Sequence, residues 1–150
     1  MQLNYLNKPH FENGAIKSIS QVLEEHGIKN PLICTDPGLA NIGMSDMIRN
    51  LLSNELSPSF YEDTPANPTE QAVNDALEIY KQNGCDGVVG FGGGSSMDLA
   101  KTVALMANHE GNVVDYSVNE GGVGKINQTM PMIAIPTTSG TGSEVSLGAV

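Results

Sequence analysis

Basic residues are scarce in this chain. Seven Lys and Arg stand against 17 Asp and Glu, a net charge of −10 over 150 residues, and the seven are scattered rather than clustered. That balance excludes the electrostatic footprint that nucleic acid or an anionic membrane requires; a soluble acidic surface is the plain reading. Cysteine is limited to Cys34 and Cys85, with no C-x-x-C or Cys/His cluster, so both read as small core residues rather than ligands or a disulfide. No apolar run approaches the roughly 20 residues that span a bilayer. The polar start MQLNYLNKPH lacks the apolar core of a signal peptide, and cytoplasm is the expected compartment.

Glycine, by contrast, is concentrated. Gly90 to Lys101 reads GFGGGSSMDLAK, with three consecutive glycines between an apolar strand pattern and a helical one. Gly92, Gly93 and Gly94 permit positive φ and close approach of a ligand to main-chain N–H groups. Ser95 with Asp98 has capping-box spacing, and Met97, Ala100, Val103, Ala104 and Ala107 follow at helical period. The positive end of such a helix stabilises an anion by roughly 0.3–1 kcal/mol. The dinucleotide fingerprint G-x-G-x-x-G fails here because Met97 stands where Gly is needed. The P-loop pattern fails around Gly124 and Lys125, where Asn119 and Ile126 occupy its first and last positions. Spacing alone leaves two readings, a phosphate cradle or a tight strand-to-helix turn.

Pro136 to Glu144, PTTSGTGSE, follows the apolar run Met132–Ile135. Thr137, Thr138, Ser139, Thr141 and Ser143 can each give or accept a hydrogen bond, while Gly140 and Gly142 let the main chain curl around a ligand. The alternatives are a loop whose hydroxyls satisfy their own backbone, or a second capping box from Thr141 to Glu144.

Strand and helix patterns alternate, which predicts a parallel sheet with crossover helices. Asn13 is the expected cap of a helix burying Ile16, Ile19 and Leu23 and stopping at Gly27. Strands are expected at 3–6, as an edge, and at 32–34, 59–62, 87–91 and 132–135. One helix should bury Met44, Met47, Ile48, Leu51 and Leu52; another carries Val73, Ala76, Leu77 and Tyr80 and ends at Gly84. Between Gly111 and Thr129 a loop is expected, with one helical turn around Val113–Tyr116.

Four segments, TDPGLANIG (35–43), ANPT (66–69), GCDGVVGFGGGSSMDLAK (84–101) and IPTTSGTGSEV (135–145), resemble in order and spacing the N-terminal half of the iron-containing (group III) alcohol dehydrogenases. The resemblance implies an α/β fold, a Rossmann-like mostly parallel sheet with helices on both faces, of the dehydroquinate-synthase-like type. Residues 1–150 are then the dinucleotide-binding domain. In the family an all-helical domain follows, holding iron (Fe2+) or another divalent metal through one Asp and three His. The expectation is that this domain lies beyond Val150. His10, His26 and His109 sit in unrelated segments and correspond to none of those ligands.

By the same resemblance Asp36 accepts hydrogen bonds from the adenosine ribose. Pro37 biases it toward an extended conformation that projects the carboxylate into the crevice at the strand ends. An acid there repels a 2′-phosphate and favours NAD over NADP; otherwise Asp36 merely starts a turn before Pro37 and Gly38. Gly93, Gly94 and Ser95 correspond to pyrophosphate contacts, and Asp98 lies close to the nicotinamide ribose and phosphates, with Lys101 its expected partner. Thr137, Thr138, Thr141 and Ser143 correspond to contacts with the adenine and ribose region and with the nicotinamide end. Asn67 matches the Asn of an N-P-T turn near the cofactor, or marks a helix-entry turn capped by Thr69.

The implied activity is oxidoreductase chemistry, hydride transfer between nicotinamide and a small alcohol or aldehyde in a homo-oligomeric enzyme. No residue of the chain is an evident proton-transfer catalyst, so the 150 residues alone are expected to turn over no alcohol. Alternatives are a stand-alone, non-catalytic nucleotide-binding module, or the N-terminal half of a glycerol-dehydrogenase or dehydroquinate-synthase-like enzyme.

Overall fold

The computed structural model describes residues 7–149; the edge strand expected at 3–6 lies outside them. After a 3-10 turn at Ala15–Ser18, the described elements are α1 (Ile19–Glu25), β1 (Pro31–Cys34), α2 (Pro37–Asn41), α3 (Met44–Leu51), β2 (Ser59–Tyr61), α4 (Glu70–Gln82), β3 (Gly87–Gly92), α5 (Gly94–Met106) and β4 (Met132–Pro136). Two more 3-10 turns, Val113–Tyr116 and Gly122–Lys125, interrupt the segment between α5 and β4.

The four strands form a parallel sheet in the order β2-β1-β3-β4. Side chains of a strand alternate between faces, and this alternation divides the core. Leu32, Cys34 and Val88 pack with α4 and α5 on one face; Ile33, Val89 and Phe91 pack with α1 and α3 on the other. All six residues of β3 are buried, as expected of a central parallel strand covered on both sides. Each fully buried Leu, Ile or Val contributes roughly 1.5–3 kcal/mol, so this two-faced core outweighs any single surface contact.

Two helices show why the chain folds locally as it does. Thr69 caps α4 from an extended conformation, its hydroxyl accepting from the Ala72 N–H at 3.2 Å; Ala72, Val73, Ala76, Leu77 and Tyr80 then form its buried stripe. Helix α5 lies directly on β3. A Cβ at Gly90 would sit 2.9 Å from the Met97 Cα and 3.0 Å from the Ala100 Cβ, so glycine sets how closely helix and strand approach.

Three expectations are corrected. Asn13 does not cap the first helix; the 3-10 turn follows Gly14 in the left-handed region at φ 78°, and α1 begins after Ser18. Ser95 is not the cap of α5 and makes no box with Asp98, because the helix starts two residues earlier than such a cap requires, with Gly93 as its N-cap. The segment 141–144, whose alternative reading was a capping box, opens no helix; the turn there covers 143–145. The helical turn expected at Val113–Tyr116 is present as a 3-10 turn. It is closed by a capping box in which Asn112 and Asp115 satisfy one another's backbone N–H groups.

Candidate functional site

The chain leaves β1 to pair β2 on one side of it, and leaves β3 to pair β4 on the other, so the strand order reverses between β1 and β3. Open α/β sheets bind ligands outside the carboxyl ends of the strands at such a point. A cleft of about 290 Å3 lies there, lined by Asp36 and Pro37 after β1, Thr64, Pro65 and Ala66 after β2, and Gly93 to Ser96 after β3.

Each wall follows from local structure. Asp36 is extended (φ −108°, ψ 159°), as the following proline dictates, and its carboxylate caps α2 by accepting from the Leu39 N–H at 3.0 Å. It is therefore both a helix cap and a cleft residue. At the end of β3, just before the lining glycines, Gly92 holds φ 150°. A Cβ added there would lie 2.6 Å from the Ser96 Oγ and 3.3 Å from the Asp36 Oδ2, so glycine is required where hydroxyl and carboxylate converge. Helix α5 has no side-chain cap and no acidic residue in its first turn. Its leading N–H groups and positive dipole end border the cleft undiminished.

The loop after β4 closes over this turn. The Thr137 N–H donates to the Gly92 carbonyl at 2.8 Å, extending the β3–β4 ladder. Thr138 stands against Gly93, its Oγ1 3.4 Å from where a Cβ would be. Thr141 and Ser143 stand against Gly94, with Thr141 Cβ at 3.3 Å and Ser143 Oγ at 3.1 Å from the corresponding point. Ser95 Oγ donates to the Ala66 carbonyl, tying the first turn of α5 to the segment after β2.

Of the residues singled out in the sequence, Asp36, Gly93, Gly94 and Ser95 come together in one cleft, with Thr138, Thr141 and Ser143 packed beside the glycines. Asn67 is exposed, between Ala66 of the lining and the Pro68–Thr69 entry to α4. Asp98 lies behind the turn. It is 8 % exposed and borders a second hollow of about 150 Å3 shared with Thr69, Val73 and Thr102. The expected pair with Lys101 is present at 3.0 Å.

Sequence reasoning passed over Thr35, Thr64 and Ser96. Their hydroxyl oxygens are buried at the strand ends with no hydrogen-bond partner among the described residues, and Thr64 and Ser96 line the cleft. A buried polar group left unpaired is unfavourable unless a ligand or solvent completes it. The second serine of GGGSS, in the first turn of α5, was the signal available for one of the three.

Among the described residues no group of three or more His, Cys, Asp or Glu comes together to hold a metal ion, and no helix is long and apolar enough to cross a membrane. Cys34 and Cys85 are free and buried. Burial, reinforced by the neighbouring Cys85, raises the Cys34 thiol far above its ordinary value, and burial likewise raises Cys85. Neither is an available nucleophile. The cleft thus offers N–H groups, hydroxyls and one carboxylate, a set suited to recognising phosphates and a diol.

Known proteins share this fold. The family described as iron-containing alcohol dehydrogenase matches residues 7–150. A 4-hydroxybutyrate dehydrogenase from Cupriavidus necator is 43% identical over 97% of this chain and 38% of its own length. A sulfoacetaldehyde reductase from Bifidobacterium kashiwanohense, solved in complex with NAD+, superposes with a TM-score of 0.81 at 30% identity, over 97% of this chain and 39% of that one. An NADH-dependent butanol dehydrogenase A from Thermotoga maritima gives a TM-score of 0.83 at 27% identity, over 95% and 35%. The chain spans less than two-fifths of the length of each of these relatives.

Proposed function

We propose a function from one premise: the chain belongs to the iron-containing alcohol dehydrogenase family. In this reading residues 1–150 are the dinucleotide-binding domain of an oxidoreductase that moves hydride between NAD(H) and a small alcohol or aldehyde. The observation that carries it is the uncapped start of α5, entered through Gly92 and Gly93, facing Asp36 across the β1/β3 switch point.

The residues present fit a dinucleotide. Gly93, Gly94 and Ser95 hold the pyrophosphate on the leading N–H groups of α5, where the helix dipole favours negative charge. Asp36 accepts from the adenosine ribose hydroxyls while still capping α2, and its charge disfavours a 2′-phosphate, so NAD is the cofactor rather than NADP. Thr137, Thr138, Thr141 and Ser143 border the adenine, ribose and nicotinamide ends, and Asn67 stands at the rim. Bound NAD+ supplies the hydride acceptor. The chain's own share is to bind and orient it.

Iron or another divalent metal does not fit the described residues, which bring no suitable ligand cluster together. The family resemblance supports a metal held by parts of a longer protein, together with homo-oligomeric assembly, and the net charge of −10 supports a cytoplasmic setting free of nucleic acid and membrane partners.

Titration of the chain with NADH and with NADPH, followed by nicotinamide fluorescence, tests this reading. Saturable NADH binding that exceeds NADPH binding, with the preference reduced in Asp36→Asn, is expected. Equal binding of the two nucleotides, or an Asp36→Asn variant with unchanged preference, contradicts the assignment of Asp36. No binding of either rejects the site.

A further inference from the structure

We propose that Lys101 is a positioning residue: through Asp98 and the segment after Ser143 it latches the Thr137–Gly148 loop onto α5. The consequence for nucleotide affinity rests on the reading just given; the latch itself does not. An ammonium has three N–H donors, and the Lys101 Nζ reaches three acceptors. These are Asp98 Oδ1 at 3.0 Å, Ser146 Oγ at 2.8 Å and the Gly148 carbonyl at 2.8 Å. Asp98 in turn accepts from the Ser143 Oγ at 3.3 Å, and the Ser143 N–H donates to Thr141 Oγ1 at 3.3 Å. The network ends at the cradle, because Thr141 and Ser143 are the residues packed against Gly94.

The pair is more than a surface i,i+3 contact. The Lys101 and Asp98 side chains are 15% and 11% exposed, and in such surroundings charges attract more strongly than in water. Lys101 also bridges residues 45 and 47 positions away in sequence, which a pair stabilising its own helix has no reason to do. Neither residue lines the cleft that Asp36 and the glycine turn form. Asp98, which the family resemblance set close to the cofactor, acts in this proposal through the loop.

Hydrogen exchange of the nucleotide-free chain tests the latch, and NADH titration tests its consequence, in wild type, Lys101→Met, Lys101→Arg and the milder Ser146→Ala. The Val145 and Ser146 N–H groups, bonded to the Gly142 carbonyl at 3.1 and 3.0 Å, report loop order. They should exchange about tenfold faster in Lys101→Met, recover in Lys101→Arg, and shift less in Ser146→Ala, with the amides of α4 unchanged. In the same order NADH affinity should fall about tenfold, recover, and fall slightly. Unchanged Val145 and Ser146 exchange in Lys101→Met overturns the latch, as does equal acceleration throughout α4, which marks general destabilisation. Wild type that shows the exchange pattern but binds no NADH upholds the latch and rejects the nucleotide reading.

Discussion

Two aspartates border the entry to α5 from opposite sides, and the same side chain does different work at each. Asp36, at the end of β1, is partly exposed, spends one oxygen on the Leu39 N–H and presents the rest of its carboxylate to the cleft. Asp98, in the second turn of α5, is buried behind the glycine turn and bonded to Lys101 and Ser143. The family resemblance implied a ligand contact for both. Burial and partners separate them: a carboxylate with protein donors on both oxygens has little left for a ribose, whereas one held by a single backbone N–H keeps acceptor capacity.

That contrast can be broken at its hinge. Gly92→Ala forces a Cβ to within 2.6 Å of Ser96 Oγ and 2.9 Å of its Cβ at a positive φ. It should destabilise by about 1–3 kcal/mol, and NADH affinity should fall with it; a variant that binds like wild type rejects the cradle. Next in size, Asp98→Ala leaves the Lys101 ammonium without its carboxylate and should lower stability by about 1–3 kcal/mol in urea unfolding. Asp36→Ala removes a helix cap and should cost about 1 kcal/mol. Nucleotide binding should reverse this order, with Asp36 the more sensitive to conservative change. Asp36→Asn keeps a competent cap and so should leave the melting temperature nearly unchanged while weakening NADH; a fall in stability equal to that of Asp36→Ala breaks the distinction.

The smallest effect near neutrality is alkaline. Burial raises Cys34, Cys85 and Tyr80 above their unfolded values, Tyr80 to about 12. The folded state therefore holds protons that the unfolded state releases first. This stability is fully present below about pH 9 and is lost as pH rises through the raised values. Urea midpoints measured from pH 8 to 11 should decline with the same slope in wild type and Asp36→Asn, since the carboxylate takes no part; a steeper decline in the variant contradicts this.

The main elements were legible because their signals are periodic or local. Helix α4 declared itself by the 73, 76, 77, 80 stripe and its Thr69 cap, and the central strand by an apolar run ending in glycine. Helix α2 was hidden because five residues beginning Pro-Gly read as a turn. The 3-10 turn at Gly122–Lys125 lies in a glycine-rich stretch with no apolar stripe to betray it. The start of α5 was misplaced by two residues because its cap, Gly93, bears no side chain to signal it, while Ser95 offered a capping pattern that the fold uses to hold Ala66 instead. In the site, Asp36 and the glycines were singled out by the family resemblance, since chain-local chemistry alone left a plain turn as the alternative for both. Thr64 and Ser96 were not, because a hydroxyl becomes notable only when tertiary packing buries it without a partner. The bond that Asp98 accepts comes from Ser143, 45 residues away, beyond any local pattern.

The most direct test of the central claim is amide NMR of the 15.8 kDa chain titrated with NAD+. The account predicts that the largest shifts fall on Gly93, Gly94, Ser95 and Ser96, accompanied by residues around Asp36 and Thr64, while the 3-10 turns at Val113–Tyr116 and Gly122–Lys125 stay still. Saturation with shifts centred on those turns, or an unmoved first turn of α5, would contradict it.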